Sequence, residues 1–559
     1  MAEIRDLIEK YALQNAVKYK AAPNSRAVMG KLMGERPELR AQAKEISPLV
    51  REVLAEVEKG SPEEWQRRLE ALAPELLEEL SMHKEPDKGL PALEGAEGGV
   101  VMRFAPNPNG PPTLGSARGI IVNSEYVKRY GGKFIIRFDD TDPVKKRPLP
   151  EAYGWYLEDC EWLDAKPDEV VIASERVELY YEVAEELIRR GGAYVCRCEQ
   201  AVFKEHKDKG IPCVHRGQTP EENLELWKSM LDGGLAEGQA VLRVKTDMHH
   251  KDPAIRDWPA ARIVTAPHPL VGARFRVWPL LDFESAIEDH LLGTTHILRG
   301  KDLADSEARQ KYLYGHLGWT YPRVIHWGRI KIHQFGSFST SKLRAAIEKG
   351  EYTGWDDPRV PTVRAMRCRG LRPEALRKFM IDLGVGETDI SISMDSIYAE
   401  NRKLIDADAN RYFFVWDPVP LEIEGDVPAQ AKAPLHPAAT RGFREIPAGN
   451  RVFVCRSDLE GMKAGDRIRL KDFCNVEFMS LEPAKARFAG MKVEKRIKII
   501  HWAPQDGVAV RVLRPDGVDE GIGERGIAGE LNRVVQFERY GFVRINCLGD
   551  PITAYFTHK

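Results

Sequence analysis

The apolar pattern that begins at residue 100 predicts a strand, a helix and a second strand. Residues 100–104 (VVMRF) and 133–138 (KFIIRF) are short apolar runs, and apolar residues recur at helical spacing over 120–127. Strands joined in this order by a helix favour a parallel, doubly wound sheet, which binds its ligands at the carboxyl ends of the strands. We therefore expect the residues that follow both strands to surround one crevice.

The loop after the first strand, residues 105–113 (APNPNGPPT), is rich in proline and stiff. A stiff loop that opens a helix offers helix-terminal N–H groups to an anion, although an ordinary strand–helix connection has the same composition. The second strand ends in Asp139, Asp140 and Asp142, which fit a metal site and a surface turn equally well.

Residues 1–80 read as helical, and Ser61 followed by Pro62 is a typical helix start. We expect Pro74 to divide the helix that continues to Leu77 and Leu80. The glycine- and proline-rich residues 81–99 read as a linker. A small helical module is the favoured interpretation of this region, and binding of a protein partner or RNA is the alternative.

Close pairs of cysteine and histidine form the metal-like pattern of the chain. The residues are Cys196, Cys198, Cys213 and His215. Thiolate and imidazole ligands at this spacing fit a tetrahedral structural zinc, because four protein ligands leave no open position. Reduced cysteines beside a chance histidine are the alternative.

The second half of the chain changes from helical to β-rich. Helices are expected over 221–230 and 373–383, and strands over 240–245 and 324–332. From residue 410 onward, β-branched and aromatic runs such as 452–455, 494–502 and 534–545, broken by glycine and proline, predict a β-barrel ending.

Composition limits the class of protein and its compartment but does not indicate a function. The chain has 559 residues, a hydrophobic content of 43%, a net charge of −2 and eight cysteines. It has no apolar run of membrane-spanning length and no signal-peptide pattern, and its sparse cysteines indicate a reducing compartment. We expect a cytoplasmic location. The balanced charge excludes a globally basic nucleic-acid binder but not a local basic patch.

A second loop, Ser337 to Leu343 (SFSTSKL), follows the strand expected over 324–332. Small hydroxyl residues ahead of a lysine suit a loop that grips a phosphate chain, with the lysine as a point charge. Such pairs are also common in helix caps.

Together the two loops resemble the HIGH and KMSKS signatures of class I aminoacyl-tRNA synthetases. The surrounding stretches RFAPNPNG, IRFDDTDP, LDFESAIEDHLLGTTHILRGKD, IYAENRKLIDADANRYFFV and VVQFERYGFVRI are similar to the archaeal type of glutamyl-tRNA synthetase. The resemblance implies a multidomain α/β protein with a class I Rossmann-like catalytic domain. It also implies an inserted acceptor-binding domain, an N-terminal helical domain and a C-terminal β-barrel anticodon-binding region.

The segments implied are a helical domain with linker (1–95), the catalytic domain in two halves (96–200 and 273–345), its insertion (201–272), a helical connecting subdomain (346–405) and the barrels (406–559). The implied activity is ATP-dependent attachment of glutamate to tRNA(Glu), and possible use of tRNA(Gln), with Mg²⁺ accompanying ATP and no protein nucleophile. Glutaminyl-tRNA synthetase and an inactive tRNA-binding paralogue are the alternatives.

The resemblance also implies site residues. Those for glutamate are Arg103, Ala105, Asn107, Asp139, Leu281, Ser285 and Arg299, with Arg103 on the α-carboxylate, Asp139 on the α-ammonium and Arg299 on the side-chain carboxylate. Those for ATP are Pro106, Gly110, Thr113, Gly115, Ser116, Arg329, Ile330, Ser339, Thr340, Ser341 and Lys342. Of these, Thr113, Ser116, Ser341 and Lys342 are expected to act in catalysis.

Several positions depart from the signatures of the family. Thr113 and Ser116 replace the histidines of HIGH, and Ser339 replaces the first lysine of KMSKS. Leu281 stands where glutaminyl and bacterial glutamyl enzymes have tyrosine. RNA contacts are expected from basic patches, although a charge run is more often a solvated face. The patches are Arg364, Arg367, Arg369, Arg372, Arg377 and Lys378, and then Lys492, Lys495, Arg496 and Lys498.

Overall fold

The computed structural model describes residues 2–19, 22–74, 76, 89–336, 339–438 and 441–559. The chain divides into two compact units, Met1–Gly89 and Leu90–Lys559. Leu77, Leu80, the first part of the expected linker (81–88), Ser337 and Phe338 lie outside the described residues.

The first unit is a small helical module. Its helices are α1 (Ala2–Tyr19), α2 (Ser25–Glu35), α3 (Ala43–Glu58) and α4 (Pro62–Leu72), with a 3-10 turn at Pro37–Gln42. They bury Ile8, Leu13, Val50 and Leu69 in a shared core. Helix α4 begins at Pro62 as predicted, because the Ser61 side chain accepts a hydrogen bond from the backbone N–H of Glu64. It ends at Leu72, ahead of Pro74.

The second unit begins with alternating strands and helices. Its strands up to residue 392 are β1 (Val100–Phe104), β2 (Gly132–Phe138), β3 (Glu169–Ile172), β4 (Ala193–Cys196), β5 (Val241–Val244), β6 (Pro259–Ile263), β7 (Val277–Pro279), β8 (His296–Gly300), β9 (Arg323–Trp327), β10 (Ile330–Ile332) and β11 (Ile390–Ile392). Its helices up to residue 405 are α5 (Leu114–Tyr130), α6 (Pro150–Trp162), α7 (Val177–Arg189), α8 (Gln200–Lys209), α9 (Pro220–Asp232), α10 (Leu281–Leu291), α11 (Ala304–Leu317), α12 (Thr340–Glu348), α13 (Val363–Cys368), α14 (Pro373–Leu383) and α15 (Met394–Ile405).

A five-stranded parallel sheet of order β3-β2-β1-β8-β9 forms the centre of this unit. Strand β1 lies between β2 and β8, so the carboxyl ends of these strands meet at one edge. Buried Ile121 of α5 and Ile136 of β2 pack in the core beneath the sheet. The expected parallel sheet is confirmed.

The prediction of one continuous strand over 324–332 is wrong, because the structure has two strands there. β9 belongs to the central sheet, whereas β10 pairs with β11 in a separate two-stranded sheet. Gly328 lies between the two strands. A Cβ atom at this position would lie 2.1 Å from the carbonyl oxygen of Thr388. This close backbone approach requires glycine at the point where the chain leaves the central sheet.

A four-stranded antiparallel sheet, β4-β5-β6-β7, is inserted between β3 and β8. Strands β5 and β6 fall within the segment 201–272, and β4 and β7 flank it on either side. Cys196 is the last residue of β4, so the cysteine and histidine cluster belongs to the edge of this sheet.

The C-terminal part contains two seven-stranded, barrel-like sheets, as predicted. Its elements are β12 (Arg411–Tyr412), β13 (Phe414–Trp416), β14 (Pro418–Glu424), β15 (Gln430–Pro434), β16 (Phe443–Pro447), β17 (Arg451–Cys455), α16 (Arg456–Leu459), β18 (Arg467–Leu470), β19 (Asn475–Leu481), β20 (Ala484–Gly490), β21 (Lys498–Ile500), β22 (Ala503–Pro504), β23 (Val508–Arg514), β24 (Gly517–Gly523), β25 (Val534–Phe537), β26 (Gly541–Cys547) and β27 (Ile552–His558). The sheet orders are β12-β25-β26-β27-β23-β24-β13 and β21-β18-β19-β20-β14-β17-β22. The run 534–545 is an antiparallel hairpin of β25 and β26, and the run 494–502 contains the short β21.

One expected RNA-facing residue is buried. The Arg369 side chain, 1% exposed, donates to the backbone carbonyls of Phe556 (3.0 Å) and Thr557 (2.8 Å). Its guanidinium therefore joins α13 to the last strand and cannot reach a phosphate. Within the described ranges, the structure has no helix that is both long enough and apolar enough to span a bilayer.

Candidate active site

A cavity of about 250 Å³ opens at the carboxyl ends of β1, β2 and β8. Six of the residues predicted for glutamate line it: Arg103, Ala105, Asp139, Leu281, Ser285 and Arg299. Asn107 does not line it; its side-chain amide donates to the backbone carbonyl of Asp139 over 3.0 Å and joins the loop to the end of β2. The structure thus brings together residues up to 196 positions apart, as Arg103 and Arg299 are.

A buried network of ion pairs forms the floor of the cavity. Arg103 donates to both carboxylate oxygens of Asp289, from Nε over 2.8 Å and from Nη2 over 3.2 Å. Arg137, completely buried, donates to Asp289 over 2.7 Å and to both oxygens of Asp139 over 2.7 and 3.1 Å. The bidentate geometry fixes the directions of all four side chains.

The network determines the ionisation of its carboxyl groups. Burial alone would raise the pKa of Asp289, but Arg103 and Arg137 outweigh burial and lower it to about 2. Glu284, fully buried and 3.7 Å from Arg137 Nε, has a pKa well above its usual range, because burial and then the negative charge of Asp139 disfavour its ionised form. The neutral form of Glu284 is therefore favoured behind the cavity.

Arg299 differs from the other two arginines of the cavity. It is 7% exposed, its Nε has no hydrogen-bond partner in the described part of the chain, and it forms no ion pair there. Its Nη1 donates to neutral oxygens, the side-chain amide of Gln310 (3.1 Å) and the hydroxyl of Tyr321 (3.4 Å). A buried guanidinium without a counter-ion is strongly attractive to a carboxylate.

The stiff loop after β1 places the start of α5 beside the cavity. Thr113 caps α5: its Oγ1 accepts from the backbone N–H of Ser116 and lies 3.3 Å from Ser116 Oγ. The Pro106 carbonyl accepts a hydrogen bond from the Asp139 backbone N–H over 2.9 Å, and a Cβ atom on Gly115 would lie 3.6 Å from Thr113 Oγ1, an ordinary contact.

The two signature loops are in contact. A Cβ atom on Gly110 would lie 2.4 Å from the Thr340 methyl group and 2.8 Å from the Trp355 ring, so glycine permits the approach. Asn109 donates to the Ser341 hydroxyl over 3.4 Å. Phosphates bound at the start of α5 would therefore face the second loop.

Lys342 lies in the first turn of α12, where Ser339 caps the helix by accepting from the Lys342 backbone N–H. Its side chain is exposed and has no ion pair with any described residue. Arg329 is also exposed and contacts Asp302, 3.1 Å away, just after β8; Ile330 begins β10. Neither Arg329 nor Ile330 lines the cavity.

The aspartates after β2 do not form a metal site. Asp140 accepts hydrogen bonds from Tyr153 (2.6 Å) and Ser174 (2.7 Å), and Asp142 accepts from the backbone N–H groups of Val144 and Lys145. Each carboxylate has its own partners, so the turn interpretation of these residues is the better one.

Cys196, Cys198, Cys213 and His215 are the group of described residues that could hold a metal ion, and their ligand atoms lie within 4.8 Å of one another. The sulfurs of Cys196 and Cys213 are 3.9 Å apart, and Cys198 Sγ is 3.4 Å from His215 Nδ1. Tetrahedral zinc with Zn–S bonds of about 2.3 Å separates two sulfurs by about 3.8 Å, so the donor set fits this ion.

A second cavity, of about 520 Å³, lies between α13, α15 and the hairpin of β25 and β26. Its lining includes Trp162 and five arginines: Arg367, Arg372, Arg441, Arg533 and Arg544. Arg441 and Arg533 lie 3.6 Å from Asp408 and Glu530, which also line it, whereas Arg367 and Arg372 have no ion pair within the described ranges.

Sequence reasoning missed the residues that hold the cavity together, namely Arg137, Glu284, Asp289, Gln310 and Tyr321. A usable signal existed for Arg137, since an arginine within the apolar run FIIRF must find a buried counter-charge. No comparable signal marks Gln310, which lies within helix α11 and outside the quoted signature stretches.

Comparison with known families identifies the class of this protein. The family described as "tRNA synthetases class I (E and Q), catalytic domain" matches residues 99–407, and the corresponding "anti-codon binding domain" matches residues 409–494. The chain therefore belongs to the class I tRNA synthetases of the E and Q family, and it is an aminoacyl-tRNA synthetase. The resemblance and the fold class drawn from the sequence are confirmed.

Relatives named glutamate–tRNA ligase match the whole chain. The one from Methanothrix thermoacetophila is 70% identical over 561 residues, covering 100% of this chain and 100% of the relative. Those from Methanosarcina acetivorans and Pyrococcus abyssi are 60% and 48% identical, covering 99% and 100% of this chain and 98% and 100% of the relatives.

The shared carboxylate leads to a prediction for Asp289→Asn. Removing the charge leaves two arginines uncompensated in the interior, so we expect the melting temperature at pH 7 to fall by about 5 °C or more. The folded pKa of Asp289 lies below its unfolded value, so its contribution is complete above about pH 4 and is lost as the pH falls towards 2.

Scanning calorimetry of wild type and variant from pH 7 to pH 3 measures this difference, which should narrow at the acidic end. Asp164→Asn, which breaks the exposed pair with Lys128, is the matched control and should change the melting temperature little. A variant as stable as wild type at pH 7 would contradict the role given to Asp289.

Proposed function

We propose that the chain is a glutamate–tRNA ligase that activates L-glutamate with ATP and transfers it to the 3′-terminal ribose of tRNA(Glu). The observation that carries the proposal is the unpaired, buried guanidinium of Arg299 in the cavity that Arg103 and Asp139 also line. The names of the relatives agree with it.

The charge balance of the cavity suits glutamate. Arg103 and Arg137 are paired with Asp289 and Asp139, and Asp282, which also lines the cavity, is paired with Arg309 over 2.6 Å. Burial favours the neutral form of Glu284, so Arg299 is the cation of the cavity without an ion pair among the described residues. Glutamate brings two carboxylates and one ammonium, and so one negative charge. Glutamine has no net charge and would leave the cavity uncompensated.

Each substrate group has a partner in the proposed pose. Asp289 occupies the Nε side of Arg103, and Nη1 of Arg103 has no partner among the described side chains, so this end can receive the α-carboxylate. The oxygens of Asp139 can accept from the α-ammonium in addition to Arg137, because each has a second lone pair. The side-chain carboxylate then reaches Arg299.

The proposed chemistry consists of two transfers. The α-carboxylate of glutamate attacks the α-phosphate of ATP, which forms the glutamyl–adenylate bond and releases pyrophosphate. The terminal ribose hydroxyl of tRNA then attacks the acyl carbonyl and releases AMP. Both steps depend on positioning and charge stabilisation, so no protein nucleophile is needed.

In the first transfer, Lys342 supplies a cation for the leaving phosphates, and Ser341 and Ser116 supply neutral hydroxyl donors. Thr113 acts as the cap that orients the start of α5. The Mg²⁺ that accompanies ATP supplies further charge neutralisation on the phosphates. Hydroxyls replace the imidazole donors of HIGH and form weaker, uncharged hydrogen bonds. Lys342 therefore supplies a larger share of the charge stabilisation of the leaving phosphates.

The activity is tested with purified protein, ATP and tRNA. We expect glutamyl-tRNA(Glu) and AMP with glutamate, and a kcat on the order of 100-fold lower for Lys342→Ala. The same assay with tRNA(Gln) measures whether that tRNA is also a substrate. A preference for glutamine over glutamate would favour glutaminyl-tRNA synthetase, and no acylated tRNA at all would favour the inactive paralogue.

We also propose that Cys196, Cys198, Cys213 and His215 hold a structural zinc. Support comes from the donor set, the distances between its atoms, and its position at the edge of a small sheet, where a four-ligand ion would join β4 to the following loops. No catalytic step involves this ion.

Elemental analysis of the purified protein should find one zinc per chain. Cys198→Ser should lose the zinc and lower the melting temperature, because metal-binding energy becomes folding energy. Cys368→Ser, at a half-buried free cysteine outside the cluster, is the control and should keep the zinc. Wild-type protein without stoichiometric zinc would contradict the proposal.

The arginine-lined cavity is our proposed contact for the tRNA backbone. Five arginines against two acids leave an excess of positive charge beside Trp162, and phosphates are the anions that a tRNA presents in number.

The first unit remains a candidate for binding a protein partner. The cytoplasmic location stays a proposal that rests on the sparse cysteines of the sequence.

Arg367→Ala tests this contact. We expect tRNA binding to weaken several-fold and its slope against the logarithm of salt concentration to decrease by about 1, as for the loss of one phosphate contact. Fluorescence titrations at several salt concentrations measure both.

Arg511→Ala, at an exposed barrel arginine that does not line the cavity, should bind tRNA as wild type does. Arg369→Ala should instead lower the melting temperature, because its guanidinium holds buried carbonyls. Unchanged affinity and salt slope for Arg367→Ala would contradict the proposed contact.

A further inference from the structure

The side chain of Gln310 lies between the elements that carry the specificity residues. It is fully buried on α11, which packs against α10. Its Oε1 accepts from Arg299 Nη1 over 3.1 Å and from the Tyr321 hydroxyl over 2.7 Å. Its Nε2 donates to Ser285 Oγ over 2.8 Å and to the Asp282 carbonyl over 3.2 Å.

The orientation of this amide follows from its partners. The Asp282 carbonyl can only accept and the Arg299 guanidinium can only donate, so Nε2 must face the former and Oε1 the latter. Gln310 thus links the guanidinium at the end of β8 to the first turn of α10, where Leu281 and Ser285 line the cavity.

The neutrality of Gln310 has a consequence for Arg299. A glutamate at this position would be nearly the same size and would place a carboxylate on Nη1, where the amide oxygen now lies. Arg103 and Arg137 already have such acidic partners in Asp289 and Asp139. An amide instead orients Arg299 without neutralising it, so the charge remains available to a ligand.

The other side chains at this end of the cavity offer little discrimination of their own. Leu281 forms no side-chain hydrogen bond, and Ser285 Oγ already donates to the Leu281 carbonyl over 2.6 Å. The Tyr321 hydroxyl donates a hydrogen bond to Gln310 Oε1. Burial raises the pKa of Tyr321 to about 12, so its side chain stays a neutral phenol. Among these side chains, Arg299 is the one whose charge can distinguish a carboxylate from an amide.

We propose that Gln310 is a positioning residue for amino-acid specificity: its amide holds Arg299 in place while leaving the guanidinium charge unpaired, and this selects glutamate over glutamine. The inference rests on the proposed function and extends it to a residue that does not line the cavity.

The test compares Gln310→Glu with Gln310→Met in adenylate formation, measured by pyrophosphate exchange with glutamate and with glutamine. Gln310→Glu should lower kcat/KM for glutamate on the order of 30-fold, mainly through KM, and should lower the preference over glutamine on the order of 10-fold or more. Gln310→Met removes the hydrogen bonds and adds no charge, so its loss should be smaller, about 5-fold. The KM for ATP should change less than about twofold in both.

Tyr321→Phe provides a test that perturbs folding little, because it removes one hydroxyl from the same network. It should raise the KM for glutamate about threefold and leave kcat/KM for glutamine unchanged. Melting temperatures are measured for all three variants, so that a loss of fold is recognised and Tyr321→Phe then decides the question.

The results that would overturn the inference are distinct. Wild-type selectivity in Gln310→Glu, or equal losses in Gln310→Glu and Gln310→Met that extend to the KM for ATP, would show that Gln310 has only a structural role. Wild-type protein that forms no adenylate with glutamate would instead overturn the proposed function, and the role of Gln310 with it.

Discussion

Two arginines, Arg103 and Arg137, share the carboxylate of Asp289 inside the protein, and Arg137 also holds Asp139. Charges buried to this extent are tolerated only when each has a partner with good hydrogen-bond geometry. The network therefore sets the relative positions of β1, β2 and α10, which carry these residues. The cavity wall, its net charge and the directions of its polar groups follow from this constraint.

The same constraint explains why Arg299 is the informative residue of the cavity. Its charged neighbours form ion pairs with one another, and its own hydrogen-bond partners are neutral. The protein leaves one positive charge in a confined space, and a ligand with one more carboxylate than ammonium compensates it. Specificity in this account comes from what is left unpaired as much as from what is in contact.

The fold was predictable where the pattern is local. The apolar runs of β1 and β2 and the proline-started helix α14 needed no distant information. The break between β9 and β10 was not predictable, because it involves the backbone of Thr388, which lies 60 positions from Gly328. The aspartates after β2 were ambiguous for the same reason, since the partners of Asp140 come from α6 and from the turn at Ser174.

The candidate site divides in the same way. Signature loops and the resemblance indicated Arg103, Asp139 and Arg299, and the structure gathers these residues around one cavity, although their roles stay predictions. The buried partners were missed because Arg137 and Asp289 are 152 positions apart, and the stretches that carry the resemblance do not show which of their residues pair. Gln310 could not be predicted from the sequence, because its proposed role depends on the absence of a charge and a neutral side chain within a helix gives no signal.

The most direct test of the central claim is a crystal structure with bound L-glutamate. We expect the side-chain carboxylate within hydrogen-bond distance of Arg299, the α-ammonium at Asp139, and Asp289 still held by both Arg103 and Arg137. A side-chain carboxylate bound elsewhere, or an Asp289 released from its arginines to make room for the substrate, would contradict it.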